Sequence, residues 1–258
     1  MDGVTAADHD AASYGALLAD EYDAIYGGVF DTDGAVARLA RLADGGRVLE
    51  FGVGTGRIAL PLAERGLDVW GIDGSAEMLQ LLKERPGGDR VGTVCGDFAT
   101  ATADGEFGLV VLLVNTIYAM HTQEDQITCF ANAARHLAPG GRFVVEAWVP
   151  DPPRGGGLGL KARRLGRGYA GLVMEDHDAA RQRLSTTQIV IDESGRTRSF
   201  PLVHRYAWPS ELDLMARLNN MTLEHRWGDW HGGPFDAAST DHVSVWRWNP
   251  PAANGNEV

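Results

Sequence analysis

Gly52, Gly54 and Gly56 follow the apolar run Val48-Leu49-Glu50-Phe51 and precede Arg57 and a stretch of helical periodicity. Without β-carbons they let a strand turn sharply into a helix and let a nucleotide-like ligand approach the backbone closely. The spacing is GxGxG. Arg57 stands where the last glycine of the dinucleotide fingerprint GxGxxG would fall, which removes a close-packing position for a pyrophosphate and argues against NAD. Asp73 ends the next apolar run, where a carboxylate can accept hydrogen bonds from both vicinal hydroxyls of a ribose. In Gly96-Asp97-Phe98 the carboxylate can take the exocyclic amine of an adenine while Phe98 packs against the ring. Asn115 and Tyr118 follow the fourth apolar run, at the carboxyl edge of a sheet, where ligands bind in open α/β folds.

These residues need a sheet to hold them. Apolar runs at Arg47 to Phe51, Asp68 to Ile72, Val91 to Cys95, Leu109 to Val114 and Arg142 to Trp148 alternate with helical patterns at Arg57 to Arg65, Ala76 to Arg85 and Glu124 to Leu137. That order predicts a mostly parallel sheet covered by helices. Ser75 is placed to cap the second helix, and Pro139-Gly140-Gly141 to stop the third. Pro150 to Gly168 is rich in glycine and reads as a long connection. Strands follow at Gly171 to Asp176, Leu184 to Asp192 and Arg198 to Trp208, with Glu193-Ser194-Gly195 as a hairpin turn. A helix from Pro209 to Asn219 and strands Thr222 to Trp230 and His242 to Trp248 complete the pattern.

The chain has 258 residues and a formal net charge of −12, which offers no counterion-release gain to a nucleic acid and no attraction to anionic lipid. No apolar run reaches the roughly 18 residues of a membrane span, and the N-terminus shows no secretory pattern, so a cytoplasmic protein is expected. Cys95 and Cys129 lie in apolar stretches without ligand spacing and are expected as free buried thiols. No His, Cys, Asp and Glu set has metal-ligand spacing. The cluster Lys161-Ala162-Arg163-Arg164-Leu165-Gly166-Arg167 reads either as a solvated loop or as a contact for an anionic group.

Taken together, Glu50 to Gly56, Asp73, Asp97-Phe98 and the Leu137 to Glu146 segment resemble the class I S-adenosylmethionine-dependent methyltransferases. The resemblance implies an α/β fold, a seven-stranded Rossmann-like sheet with its last strand antiparallel, joined by an N-terminal helical lid and an inserted antiparallel β unit. It divides the single domain into a cover (1–45), a cofactor-binding core (46–149), a loop and insertion over the substrate (150–208) and a C-terminal helix and strand pair (209–248). It also implies the cofactor S-adenosylmethionine, with Glu50, Gly52, Gly54, Arg57, Asp73, Gly74, Met78, Asp97, Phe98, Asn115 and Tyr118 around it. Within this set Arg57 and the Gly52 region face the methionine carboxylate. Tyr14 to Asp23 looks like the family's N-terminal box, giving Tyr22 a cofactor-facing role, Tyr14 a catalytic one and Tyr26 a place near substrate. All three tyrosines share a helix face and would equally serve packing.

Methyl transfer from a sulfonium asks the protein mainly to aim and dehydrate, with a base needed only when the nucleophile starts protonated. His121, after the fourth strand, is the candidate base, and His204, in the insertion, the second choice. Trp148, His204 and Trp230 are candidates for the acceptor pocket, though Trp230 reads equally as a core aromatic. The looser resemblance is to bacterial enzymes that methylate amino or hydroxyl groups of small natural products, so the expected partner is a small-molecule acceptor, not a nucleic acid or a membrane. The rival readings are an NAD-dependent oxidoreductase and a non-catalytic cofactor-binding module.

Overall fold

The computed structural model describes residues 30–165 and 168–251. Helix α1 (Thr32–Ala43) leads into β1 (Val48–Phe51), α2 (Ala59–Glu64), β2 (Val69–Asp73), α3 (Ala76–Glu84), β3 (Gly92–Cys95), β4 (Phe107–Leu112), α4 (Gln123–His136) and β5 (Leu137–Trp148). Four strands follow, β6 (Gly157–Arg164), β7 (Tyr169–Asp178), β8 (Arg183–Asp192) and β9 (Thr197–Arg205). The chain then forms α5 (Pro209–Leu218), β10 (Met221–Trp227) and β11 (Asp241–Trp248).

Seven strands pair in the order β10-β11-β5-β4-β1-β2-β3, and β11 runs antiparallel to both neighbours while the β5-to-β3 pairs are parallel. The strand order reverses at β1, between β2 and β4, so the crevice beyond their carboxyl ends is the expected ligand position of an open α/β sheet. β1 is buried along its whole length because helices cover both faces. Leu49, Phe51, Val110, Leu112 and Phe143 pack on one side with Phe130 and Met215, and Val48, Leu109, Val111 and Val144 on the other with Leu39 and Leu62. Each such side chain contributes about 1.5–3 kcal/mol of burial.

Local chemistry sets the element ends. Ser75 Oγ accepts from the Met78 amide, capping α3 as its position predicts. Thr122 and Asp125 form a reciprocal capping box at the start of α4. In the expected hairpin turn, Asp192 Oδ1 accepts from the Ser194 and Arg196 amides, and Gly195 takes φ +80°.

Three expectations are corrected. The stretch read as a connection contains β6, which pairs with β7 from Gly157↔His177 to Arg164↔Ala170 and completes a four-stranded antiparallel sheet β6-β7-β8-β9. Its glycines and cations suppress a strand signal, but as an edge strand it needs only one paired side. Pro139-Gly140-Gly141 does not stop α4, which ends at His136. It forms a bulge within β5, since Phe107 faces Leu137 and Leu109 faces Arg142. Cys129 is buried, but Cys95, at the end of an edge strand, is exposed. Among the described residues no helix is long and apolar enough to cross a membrane.

Candidate active site

The carboxyl ends of the parallel strands open into a cavity of about 920 Å³, closed on the far side by the inner face of the β6-β9 sheet. The turn after β1 supplies its floor. Gly52 and Gly54 hold φ +68° and +53°, and a β-carbon on Gly54 would meet nothing within 4 Å, so the backbone here borders open space. Glu50 points into the same region, and its buried Oε2 has no hydrogen-bond partner among the described residues. Burial pushes its carboxyl up to about 8, with Arg57 acting against that rise. Asp73, at the end of β2, accepts the Gly54 amide at 2.8 Å on one oxygen and the Ser75 amide at 2.9 Å on the other. Burial raises its carboxyl, and those two bonds oppose the rise. Arg57 donates to Thr32 Oγ1 at 2.9 Å and lies over the Phe30 ring.

The turn after β4 is strained. Val114 and Asn115 both sit at positive φ, +53° and +63°, which for a β-branched residue costs of order 1–3 kcal/mol. Glu146 holds it there, with one carboxylate oxygen accepting the Val114 amide at 3.0 Å and the other accepting Trp230 Nε1 at 2.7 Å. Asn115 Oδ1 in turn accepts the Trp148 amide. The 3₁₀ turn Thr116–Ala119 follows and delivers His121, exposed, to the cavity just before the α4 capping box.

Of the residues singled out in the sequence, the cavity is lined by Glu50, Gly52, Gly54, Arg57, Asp73, Gly74, Met78, Asp97, Phe98, Asn115, His121, Trp148 and His204. Tyr118 is not among them and is corrected to a packing role. It is fully buried, with its hydroxyl 2.9 Å from the carbonyls of Trp148 and Ala207. Trp230 likewise lies outside the cavity wall; it is buried and braces Glu146. Tyr14, Tyr22 and Tyr26 lie outside the described residues. His204 is driven down to about 4, first by burial and then by the charges of His121 and Arg163. Sequence reasoning missed Glu175, His177 and Thr186, which line the cavity from the second sheet together with Lys161 of the basic cluster. Their signal was the period of two in 175/177 and 184/186, legible only once those strands are known to present one face. Among the described residues no His, Cys, Asp and Glu cluster suits a metal ion.

An open α/β sheet with a glycine turn under a strand-end acid and a cavity beyond both is the arrangement of a nucleoside-cofactor enzyme. Residues 48–141 match the family described as Methyltransferase domain. The chain is 30% identical over 242 residues to the cypemycin N-terminal methyltransferase of a Streptomyces species, covering 92% of this chain and 98% of that one. The CcbJ methyltransferase of Streptomyces caelestis superposes with a TM-score of 0.83 at 36% identity, covering 94% of this chain and all of that one. S-adenosylmethionine-bound CalS10, an amino pentose methyltransferase of Micromonospora echinaspora, shares the fold with a TM-score of 0.65 at 22% identity, over 86% of this chain and 93% of that one. The chain belongs to the S-adenosylmethionine-dependent methyltransferases, and the oxidoreductase and non-catalytic readings are set aside. The residues present fit that cofactor: the partnerless Glu50 Oε2 and the open space over Gly54 would be available to a polar, nucleoside-bearing ligand beside the strand-end acid Asp73.

Glu50 also makes a stability prediction. The unfolded chain releases this proton near pH 4.5 and the folded protein near 8. The stabilisation is therefore complete below pH 4.5 and is lost as pH rises to about 8. Glu50→Gln should flatten that slope and raise the melting temperature of the cofactor-free protein at pH 8 by about 2–4 °C per kcal/mol relieved. Calorimetry from pH 5 to 8.5 reads this out, and an unchanged slope would show that Glu50 ionises normally.

Proposed function

We propose that this enzyme methylates an amino group of a small, polar natural-product acceptor, with His121 as general base and without a metal ion. The observation that carries this reading is one cavity shared by the cofactor-type floor of β1 and β2, the His121 loop, and the hydrogen-bonding face of the second sheet. The likeness to an enzyme whose name specifies N-terminal methylation, along nearly the whole of both chains, supports an amine over a hydroxyl.

The cofactor supplies a methyl group on a positively charged sulfur, already set to leave. The protein's part is binding, aim and proton removal. Asp73 would hold the ribose hydroxyls, its geometry fixed by the two backbone amides it accepts. Asp97 would hold the adenine amine, with buried Phe98 against the ring. Arg57 would face the methionine carboxylate, and Trp148 would border the acceptor. Holding the nucleophile in line would supply most of the rate. His121 would take the proton that an amine carries at neutral pH, passing it to solvent from its exposed position.

Incubation with methyl-labelled S-adenosylmethionine and a panel of primary amines, free-N-terminal peptides and amine-free alcohols tests the reading. Label is expected in amines and to persist in excess EDTA. Label confined to alcohols would overturn the amine assignment, and loss of label with EDTA the metal-free one.

A further inference from the structure

The cavity-lining face of the β6-β9 sheet carries residues with unsatisfied polar atoms. Pairing sets Glu175 opposite Thr186 and places Leu184 between His177 and His204, so these side chains share one face in two adjacent rungs. All of them line the cavity. Thr186 Oγ1, His177 Nδ1 and His204 Nδ1 are each buried without a hydrogen-bond partner among the described residues. His177 Nε2 lies 3.5 Å from Glu175 Oε2, and the same oxygen lies 2.7 Å from Lys161 Nζ. A carboxylate can only accept, so it favours the proton on Nε2 and leaves Nδ1 as an unpaired acceptor on a residue that lines the cavity. A buried polar atom left without a partner destabilises a fold, and replacing it with an apolar isostere is usually neutral or stabilising. A core selected for stability alone would not gather three such atoms on one wall.

We propose that His177, Thr186 and His204 form an acceptor-recognition wall for a molecule that presents hydrogen-bond donors, hydroxyl or amide N–H groups, on the side away from the methylated atom. The proposal rests on the methyl-transfer reading in taking this cavity as the acceptor's. It assigns His177 and Thr186 to binding, so their loss raises KM, whereas loss of His121 lowers kcat. It also predicts opposite signs for stability and binding at Thr186, because the hydroxyl lacks a partner only while the acceptor is absent.

The test uses the whole protein with and without S-adenosylhomocysteine, and three amines as probes: serinol, which carries hydroxyls; glycinamide, which carries amide N–H; and benzylamine, which carries neither. Saturation-transfer NMR should show serinol or glycinamide binding about tenfold more tightly than benzylamine, and the preferred probe tells the two donor types apart. Thr186→Val should weaken that probe on the order of 2-fold to 10-fold, the loss of one hydrogen bond. Thr186→Ser should keep it within about twofold, and Thr186→Val should melt higher than the parent. Benzylamine binding as tightly as the other two, no binding by either donor-bearing amine, an unchanged affinity in Thr186→Val, or a lower melting temperature in that variant each overturns the proposal. Failure of S-adenosylhomocysteine to bind would instead sink the methyl-transfer reading and leave the amine preference to judge the wall.

Discussion

His121→Ala is expected to lower kcat about 10²-fold to 10⁴-fold while S-adenosylhomocysteine affinity stays close to the parent value. The residue is exposed and sits between two independently fixed segments, the 3₁₀ turn Thr116–Ala119 and the capping box at Thr122 and Asp125. Removing its imidazole therefore opens no core cavity and leaves the loop anchored at both ends. The strained Val114-Asn115 pair and its Glu146 brace precede this loop and fix where it enters the cavity wall. With an amine acceptor, part of the lost rate should return as pH rises, because solvent then supplies the unprotonated nucleophile without a base. Steady-state kinetics from pH 6 to 9, with calorimetric cofactor binding alongside, read both effects. A variant with kcat near the parent across that range would show that His121 is not the base.

The cavity floor was legible because its geometry is local. Gly52, Gly54 and Asp73 are brought to the cavity by backbone conformation and strand-end position, both of which short sequence windows encode. Tyr118 was misplaced by one feature of a short turn. In a 3₁₀ segment residues three apart share a face, so Thr116 and Ala119 line the cavity while Ile117 and Tyr118 point into the core. Trp230 was misplaced because its role depends on Glu146, far away in sequence and one layer behind the wall. The cavity wall from the second sheet was the least legible. β6 exists through pairing with β7, and the meaning of Glu175, His177 and Thr186 depends on which face of a four-stranded sheet turns inward. Register of that kind is a tertiary property that propensity does not carry.

Asp73→Ala should weaken S-adenosylhomocysteine binding about 10-fold to 150-fold, the equivalent of roughly 1.5–3 kcal/mol for a charge-assisted hydrogen-bond acceptor. The carboxylate does two things at once. In the proposed reading it accepts the ribose hydroxyls, and it already accepts the amides of Gly54 and Ser75, tying the glycine turn after β1 to the start of α3. Alanine removes both, so a loss of affinity in that variant alone would mix ribose contact with a loosened turn. Asp73→Asn separates them. Its side-chain oxygen can still accept one amide, but its NH₂ group turns a donor toward the other, so the turn is half held and the charge is gone. Thermal unfolding reads the turn and calorimetry reads the ribose. If the carboxylate mainly holds ribose, Asn and Ala should lose similar affinity while Asn stays closer to the parent in melting temperature. If it mainly ties the turn, affinity and melting temperature should fall together in both variants. A folded Asp73→Ala protein with parental affinity would show that the ribose lies elsewhere in the cavity.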